Sequence, residues 1–440
     1  MSASPGAAPL RVGIAGLGTV GAGTFKILSQ NREILAARCG RDMVVTAVSA
    51  RDKSKHRGIE LAGIAWCDDA AALAGRDDVD VIAELIGGAD GVALELSESA
   101  LRNGKHLVTA NKALLAHHGN SLAALAEKAG VNLGYEAAVA GGIPIIKALR
   151  EGLAANEFSG VYGILNGTCN YILTEMRDGV RAGTPRDFDT VLKEAQELGY
   201  AEADPSIDVD GIDAAHKLAL LTSLVFGCPV DFDAVTIEGI RHINPIDIRY
   251  AEELGYRVKL LGVSRASAAG IEQSVHPCMV PERAAIAHVD GVLNAVVTEG
   301  DFGGTTTFEG LGAGEGPTAS AVISDLVDIA RGLVLQMFAV PVSELVTRPK
   351  AAPGSHVGSY YIRLMVVDRP GVIADIAACL RDQEVSVESM LQHGRRPDEA
   401  VPVVLTTHVA EEKALARALA AMEALQTVLE TPRMIRIVNL

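Results

Sequence analysis

Short apolar runs alternate with helix-compatible segments over the first third of the chain. The runs lie close to Gly, Asp or Asn residues, and the segment after the first run is compatible with a helix to about residue 37. Strands that alternate with helices are typical of βαβ units and a parallel sheet. The pattern therefore predicts an α/β domain with four strands, at Leu10–Ala15, Met43–Ser49, Val79–Ile86 and His106–Thr109.

The pattern changes at about Gly141, where longer helical segments are separated by polar loops. A glycine-rich stretch, Gly303–Pro317, precedes a second helix-like run, Thr318–Phe338, and a linker with Pro and Gly follows at Thr347–Gly358. We expect an α+β domain in the middle of the chain and an independent block after the linker.

The C-terminal block reads as strand, helix, two strands, helix and strand. This βαββαβ order predicts a small sandwich with both helices on one face of a sheet. The predicted domains are residues 1–140 plus 311–345, residues 141–310, a linker at 346–358 and a block at 359–440. The predicted elements of the block are Tyr360–Val367, Val372–Asp382, Val385–His393, Ala400–His408, Glu411–Ala424 and Arg433–Val438.

Composition narrows the class of protein. The chain has 440 residues, of which 49% are hydrophobic and 21% charged, so we expect two or three folded domains. The formal net charge of −16 argues against nucleic-acid binding. We find no apolar run long enough for a membrane helix, no secretory signal in the loose tail 1–9 and no CxxC pair among six cysteines. These features predict a cytoplasmic protein.

A GxGxxG motif follows the first predicted strand and opens the first helix. Its first glycine permits a tight turn, its second lets the backbone approach a pyrophosphate, and its third allows close helix–strand packing. The helix N-terminus adds free N–H groups for phosphate. We therefore predict a dinucleotide site at Gly16, Leu17, Gly18, Thr19, Val20 and Gly21.

The segment after the second strand bears on which dinucleotide binds. An NAD site usually has an acid here for the ribose 2′-hydroxyl, whereas basic residues suit the 2′-phosphate of NADP. The basic cluster that begins at Arg51 favours NADP, and Asp52 leaves NAD open. A charged loop that only faces water is an equal alternative. The other basic residues are Lys53, Lys55, His56 and Arg57.

A second chemical signal lies between residues 198 and 217. Asp213 and Lys217 are four residues apart on a predicted helix and share one face. An acid-lined pocket suits a substrate ammonium group, and a lysine on the same face can exchange a proton with a hydroxyl or carbonyl. Spacing alone leaves a calcium loop or a surface ion pair open. The acids before the helix are Glu202, Asp204, Asp208 and Asp210.

A free lysine with a pKa near 10.4 is a poor base at neutral pH. Desolvation or a neighbouring cation would have to lower the pKa of Lys217. Lys112, just after the fourth predicted strand, is the candidate neighbour.

These motifs, in this order, resemble the homoserine dehydrogenases. The resemblance covers about residues 10–340. It rests on the glycine motif and on three longer segments: Gly104–Lys112, Leu165–Leu173 and Ala195–Lys217. It implies reversible hydride transfer between NAD(P)H and aspartate 4-semialdehyde, giving L-homoserine.

The resemblance assigns roles to individual residues. The catalytic residues would be Lys217, Lys112 and Asp213: Lys217 would exchange the proton with the substrate oxygen, and Lys112 would assist it and position the substrate. The acids that would hold the substrate ammonium group are Glu202, Asp208 and Asp213. The further cofactor residues would be Lys105, Thr109 and Gly314 of the loop Gly312–Gly316. A monovalent cation such as sodium or potassium would be held by the backbone carbonyls of Glu136, Val139, Gly141 and Ile143.

The loop Asp368–Ile376 in the C-terminal block resembles the ligand loop of an ACT domain. Its glycine, Gly371, allows close backbone approach, and the helix that follows favours a carboxylate. The resemblance implies an amino-acid effector, with L-threonine expected as the pathway end product, and a homodimer or homotetramer. A purely structural pairing module is the alternative.

Two other functions stay open from the sequence. The chain could be another oxidoreductase acting on an amino-acid semialdehyde, or an amino-acid sensor with an inactive dehydrogenase body. The retention of Lys112, Asp213 and Lys217 argues against the inactive body.

Overall fold

The computed structural model describes residues 8–267, 269–352, 354–393 and 399–440. Most of the predicted tail, residues 1–7, lies outside these ranges. Within them, none of the helices combines the length and apolar character that crossing a bilayer requires.

The first domain is built on a six-stranded parallel sheet, in which β1 lies between β2 and β4. Its strands are short and mostly buried on both faces, as expected for a sheet covered by helices. Three predicted strands are confirmed at the predicted bounds, whereas the short β3 and β6 were not predicted. The elements are β1 (Leu10–Ala15), α1 (Thr19–Gln30), α2 (Arg32–Cys39), β2 (Met43–Ser49), β3 (Ala65–Cys67), β4 (Val81–Glu84), α3 (Val92–Arg102), β5 (His106–Thr109), α4 (Lys112–Ala129) and β6 (Leu133–Gly134).

The sheet order is β3-β2-β1-β4-β5-β6. The chain therefore crosses from one half of the sheet to the other between β3 and β4, and the carboxyl ends of β1, β4 and β5 lie side by side. In open parallel sheets, ligands bind at this reversal point. The fold thus brings together the segments that follow Ala15, Glu84 and Thr109.

The middle domain contains two long antiparallel hairpins that the sequence analysis did not predict. Strands β9 and β10 pair along 12 residues each, and their central residues are buried. The elements are α5 (Ile145–Lys147), β7 (Phe158–Ile164), α6 (Gly167–Arg181), α7 (Phe188–Glu197), α8 (Ser206–Val209), α9 (Ile212–Phe226), β8 (Thr236–Ile237), α10 (Pro245–Glu253), β9 (Tyr256–Ser267), β10 (Gly270–Pro281), β11 (Leu293–Gly300) and β12 (Gly304–Leu311).

After the middle domain the chain returns to the first. Helix α11 (Glu315–Ala330) packs against α1 and brings its N-terminal end beside Gly23 and Lys26 of α1, the helix that the glycine motif opens. A Cβ atom on Gly23 of α1 would lie 2.7 Å from the Cγ of Glu315, so the two helices are in close contact. The predicted helix to Phe338 is too long, because Gly332 adopts a left-handed φ of 76° just after Arg331.

The C-terminal domain has the predicted βαββαβ order, with one additional two-residue strand. Its four main strands form the order β17-β13-β15-β14. The elements are β13 (Val357–Val367), α12 (Val372–Arg381), β14 (Val387–Leu391), β15 (Ala400–Thr407), β16 (Ala410–Glu411), α13 (Glu412–Glu423) and β17 (Arg433–Ile437).

The C-terminal domain is not the independent block that the linker composition predicts. Strand β17 pairs in parallel with β10, so the middle and C-terminal sheets are continuous. Beneath this junction, Asp247 of α10 is 1% exposed and accepts hydrogen bonds from the Tyr361 hydroxyl (3.0 Å) and the Arg363 Nε (2.7 Å). A linker in sequence therefore joins two domains that share a sheet and a buried ion pair.

Candidate active site

The glycine motif forms a tight turn between β1 and α1 with open space above it. A Cβ on Gly16 would lie 2.3 Å from the Leu85 carbonyl oxygen, and one on Gly21 would lie 1.9 Å from the Gly16 carbonyl oxygen. A Cβ on Gly18 would meet no atom within 4 Å. Gly16 and Gly21 are thus required by packing, while Gly18 and the start of α1, at Thr19 and Val20, leave room for a phosphate.

A buried carboxylate that the sequence analysis missed organises the neighbouring loop. Glu84 ends β4, and its side chain accepts hydrogen bonds from Ile86 N (2.8 Å) and the Thr109 hydroxyl (2.6 Å). Burial raises the pKa of Glu84. Thr109 therefore anchors the loop after β4 through its side chain. Asn111 continues the network by donating from Nδ2 to the Gly88 carbonyl oxygen at 2.7 Å.

The loop after β2 has exposed basic side chains, and its acid, Asp52, is hydrogen-bonded within the loop. The Asp52 carboxylate accepts from both the backbone N (2.8 Å) and the hydroxyl (2.6 Å) of Ser54, and these bonds lower its pKa. Arg57 donates from Nε to the Leu17 carbonyl oxygen at 3.1 Å, which ties this loop to the glycine turn. Arg51 is exposed at the carboxyl end of β2.

Two further cofactor candidates lie in different places. Gly314 precedes α11 with a φ of 119°, and the next residue, Glu315, pairs with Lys26 of α1 at 2.6 Å. Lys105 lies instead at the amino end of β5, where its Nζ donates to the carbonyl oxygens of Arg76 and Val79, each at 2.6 Å. Lys105 therefore lies at the amino ends of the parallel strands, whereas the glycine turn lies at their carboxyl ends. For this reason we leave Lys105 out of the cofactor site.

Two lysines meet one aspartate where α4 of the first domain packs on α9 of the middle domain. The Lys217 Nζ lies 2.7 Å from Asp213 Oδ2 and donates to the Leu165 carbonyl oxygen, also at 2.7 Å. The Lys112 Nζ lies 3.0 Å from Asp213 Oδ1. The structure therefore brings together, from two domains, the three residues that the sequence analysis assigned to catalysis.

Asn166, which the sequence analysis included only within a motif, connects this trio to the acidic loop. Its Nδ2 donates to Asp208 Oδ1 (2.8 Å) and Asp213 Oδ2 (3.0 Å). Asp208 is half-buried beside the trio, and the Glu202 carboxylate is close enough to act on the charge of Lys112. The remaining two acids are engaged elsewhere. Asp210 pairs with Arg241, and Asp204 is exposed and accepts from Ser206 N.

The charges of the site differ from the sequence-based expectation. We expected Lys112 to lie next to Lys217 and lower its pKa, but the carboxylate of Asp213 lies between the two lysines. Its negative charge raises the pKa of Lys112. Burial alone would raise the pKa of Asp213, but the charges of Lys217 and Lys112 outweigh it and hold this pKa well below its usual value. Two lysines against one carboxylate give the trio a formal charge that is positive.

The segment predicted to hold a cation is a buried, irregular turn. Glu136, Val139 and Ile143 are at most 2% exposed, and Gly141 adopts a left-handed φ of 56°. The Ile143 carbonyl oxygen also accepts a hydrogen bond from Ile145 N at 2.8 Å. The described residues contain no group of three or more His, Cys, Asp or Glu side chains suited to a metal ion.

The sequence matches three family profiles in the order of the domains. Residues 16–136 match "Homoserine dehydrogenase, NAD binding domain" and residues 144–327 match "Homoserine dehydrogenase". The chain belongs to the homoserine dehydrogenase family. Residues 360–426 match the ACT domain, which confirms the predicted C-terminal module.

Relatives of this family align over nearly the whole chain. The homoserine dehydrogenase of Neisseria gonorrhoeae is 47% identical, with 98% of this chain and 99% of that protein covered. That of Pseudomonas aeruginosa is 45% identical, with 96% of each covered. The crystal structure of a homoserine dehydrogenase from Thiobacillus denitrificans superposes with a TM-score of 0.92 at 46% identity, over 98% of this chain and 99% of that one. These matches confirm the predicted family, its dehydrogenase activity and the three-part fold.

Proposed function

We propose that this homoserine dehydrogenase uses Lys217 as the proton donor and acceptor in the interconversion of aspartate 4-semialdehyde and L-homoserine. The observation that carries the proposal is the fixed geometry of its ammonium group. Two of the three N–H bonds of Lys217 have protein acceptors, Leu165 O and Asp213 Oδ2. The third has no acceptor among the residues that the structure describes, so it can bind the substrate oxygen.

The net positive charge of the trio fits the reduction direction. When a bound nicotinamide supplies the hydride, negative charge develops on the carbonyl oxygen of the substrate. The Lys217 ammonium stabilises that oxygen and then protonates it. The negative charge of Asp213 keeps Lys112 protonated, and Lys112 holds the substrate opposite Lys217. Asp208 and Glu202 bind the substrate ammonium group.

The preferred cofactor is NADP in this proposal. Ser54 engages Oδ1 of Asp52, which leaves only Oδ2 as an acceptor for a 2′-hydroxyl, and Arg51 is exposed beside it. A solved hyperthermophilic archaeal homoserine dehydrogenase, described as a mutant in complex with NADPH, is 26% identical with a TM-score of 0.63 over 74% of this chain. Arg51→Ala should raise the KM for NADPH by ~10-fold and leave that for NADH unchanged, whereas the same change at Arg38 should alter neither.

The cation and the effector complete the proposal. The irregular, buried turn at Glu136–Ile143 fits a monovalent cation bound by the backbone carbonyls of Glu136, Val139, Gly141 and Ile143. Replacing potassium or sodium with tetramethylammonium should then lower both activity and the apparent melting temperature.

Gly371, with a φ of 99° at the start of α12, fits a loop that binds the carboxylate of L-threonine. We place the enzyme in the cytoplasm as a homodimer or homotetramer.

The deciding experiment measures NADPH consumption with aspartate 4-semialdehyde, with and without threonine. Turnover that threonine suppresses supports both the reaction and the effector. Turnover that threonine leaves unchanged supports the reaction and rejects threonine. The absence of turnover with either NADPH or NADH rejects the reaction and favours a different semialdehyde or the sensor.

A further inference from the structure

The loop after β4 and the start of α4 are joined by a closed circuit of hydrogen bonds. Glu84, fully buried at the end of β4, accepts from Ile86 N at 2.8 Å and from the Thr109 hydroxyl at 2.6 Å. The Thr109 oxygen in turn accepts from Asn111 N at 2.9 Å, and Asn111 Nδ2 donates to the Gly88 carbonyl oxygen at 2.7 Å. The chain from Gly88 back to Glu84 closes this arrangement, which we call the Glu84 circuit.

The loop completes the circuit in an unusual backbone conformation. Gly87 and Gly88 have φ angles of 89° and 87°, in the left-handed region that residues with a Cβ rarely adopt. A Cβ on either residue would meet no atom within 4 Å, so the conformation and not the available space favours glycine. Gly87 N also donates to Glu84 Oε1 at 3.3 Å. The two glycines therefore let the loop turn back, so that its N–H groups reach Glu84 and its Gly88 carbonyl reaches Asn111.

The circuit ends one residue before Lys112. Asn111 caps α4 by accepting from Leu114 N at 3.1 Å, and Lys112 is the first residue of the helix. From there, Lys112 reaches Asp213 Oδ1 of the middle domain at 3.0 Å. The helix dipole disfavours a positive charge at this end, and the first turn of α4 contains no acid. The position of Lys112 therefore depends on Asp213 and on the bonds that fix the backbone at Asn111.

The other side of the circuit lies against the glycine turn. A Cβ on Gly16 would lie 2.3 Å from the Leu85 carbonyl oxygen and 3.0 Å from Ile86 N, and Leu85 N donates to the Ala15 carbonyl oxygen at 2.7 Å. These are backbone contacts, so they do not depend on the side chain of Glu84. The circuit thus connects the turn assigned to the cofactor phosphates with the lysine assigned to the substrate.

We infer that Glu84 is a positioning residue for the reaction and acts through Thr109 and Asn111 to hold Lys112 in place relative to the loop after β4. The inference rests on the proposed role of Lys112. Hydride transfer requires exact alignment of cofactor and substrate, and a misplacement of ~1 Å can cost ~10²-fold in rate. A carboxylate suits this task because it accepts from two sides at once, and hydrogen bonds to an ionised acceptor are strong.

The test uses the full-length enzyme and two variants that break the circuit at different groups. In Glu84→Gln the amide has an acceptor on one side only, so it can serve Ile86 N or the Thr109 hydroxyl but not both. Thr109→Val keeps the shape of the side chain and removes the hydroxyl, so failure of one variant to fold leaves the other informative. Each should lower kcat/KM for aspartate 4-semialdehyde by ~10-fold, with the Kd for NADPH within ~3-fold of the wild type.

A matched control separates positioning from general stability. Ser97→Ala on α3 removes another buried hydrogen bond of the first domain, from the Ser97 hydroxyl to the Ala93 carbonyl oxygen at 2.7 Å. It should lower the melting temperature and leave kcat/KM unchanged. If a folded Glu84→Gln or Thr109→Val enzyme behaved like this control, with a lower melting temperature and the kcat/KM of the wild type, the inference would be overturned.

A double variant tests whether Glu84 acts through Lys112. If it does, adding Glu84→Gln to Lys112→Ala should lower kcat/KM by no more than ~3-fold beyond Lys112→Ala alone, because the group that Glu84 positions is already absent. A further ~10-fold loss would show that the two residues act independently and would overturn the inference. Turnover of Lys112→Ala at the wild-type rate would instead reject the proposed role of Lys112, so the two failures are distinguishable.

Discussion

The enzyme joins its three domains through two aspartates that are buried to a similar degree but paired differently. At the junction of the first and middle domains, Asp213 meets Lys217 and Lys112, and the Lys112 side chain is 39% exposed. At the junction of the middle and C-terminal domains, Asp247 meets Arg363, whose side chain is 6% exposed.

The difference in exposure distinguishes a junction whose charged residues take part in catalysis from one that only stabilises the fold. A half-exposed lysine already exchanges with water, so it can turn towards a substrate at small cost. A buried arginine that leaves its carboxylate strands two charges in an apolar environment. We therefore expect substitution of Lys112 at the first junction to affect turnover with little loss of stability, and substitution of Arg363 at the second to do the opposite.

The largest effect is expected at Lys217. Lys217→Ala removes the proton donor and should lower kcat by ~10³-fold or more while NADPH binding is retained. Steady-state kinetics and NADPH titration of the purified variant provide the measurement, with exposed Lys193→Ala on α7 as the control. Turnover within a few-fold of the wild type would remove Lys217 from the mechanism.

The second junction should respond in stability. Arg363→Ala leaves Asp247 with a buried, unbalanced charge and should cost about 3–5 kcal/mol of unfolding free energy. Truncation after about Val346 would remove both Arg363 and Tyr361 and uncover the edge of β10, so it should destabilise the remaining enzyme as well. Denaturant unfolding tests this, with Arg381→Ala on the surface of α12 as the matched control. An Arg363→Ala protein as stable as that control would contradict the structural role of the pair.

Lys112 tests the same comparison from the other side. Lys112→Ala should lower kcat/KM for aspartate 4-semialdehyde by ~10²-fold, because the substrate loses one positioning charge. Unlike Arg363→Ala, it should leave the unfolding free energy within about 1 kcal/mol of the wild type. A large loss of stability would mean that the Lys112–Asp213 pair holds the domains together and that the two junctions are alike.

The sequence predicted the first junction and missed the second for a physical reason. Asp213 and Lys217 are four residues apart, and a helix places such residues on one face wherever it lies in the fold. Asp247 and Arg363 are 116 residues apart, so only the pairing of β10 with β17 brings them together. No local pattern marks such a contact.

The same limit explains the other differences. Strands β9 and β10 lack the alternation of apolar and polar residues because both faces are buried, so periodicity does not identify them. Lys105 occurs in a motif with Thr109 and Lys112, yet it precedes β5, whereas Thr109 is the last residue of β5 and Lys112 follows the strand. The four residues of β5 separate the start of the motif, at the amino end of the strand, from the rest of it, at the carboxyl end. The glycine motif was predictable because its function depends on consecutive residues.

The smallest effect is expected from a histidine next to Lys217. His216 lies between α9 and α4, stacked on Phe232 with ring centroids 4.5 Å apart and with His117 of α4 at 5.7 Å. Burial, followed by the charge of His117, lowers its pKa to about 4, and Lys112 and Lys217 act in the same direction while Asp213 opposes them. Between about pH 6.5 and pH 4, the unfolded chain therefore binds a proton that the folded enzyme does not.

Stability must fall as pH decreases through that window, because the unfolded state takes up more protons. His216 lowers the unfolding free energy by on the order of 3 kcal/mol at pH 4, and this destabilisation vanishes above about pH 7. His216→Phe keeps the ring stack and should reduce the acid-induced loss, as measured by urea unfolding at pH 7, 5.5 and 4.5, whereas His408→Asn at the exposed position after β15 should not. If His216→Phe lost stability with acid as steeply as the wild type, protonation of His216 would not be the cause of the loss. The acid sensitivity of the first junction would then have to come from Asp213 and the two lysines that contact it.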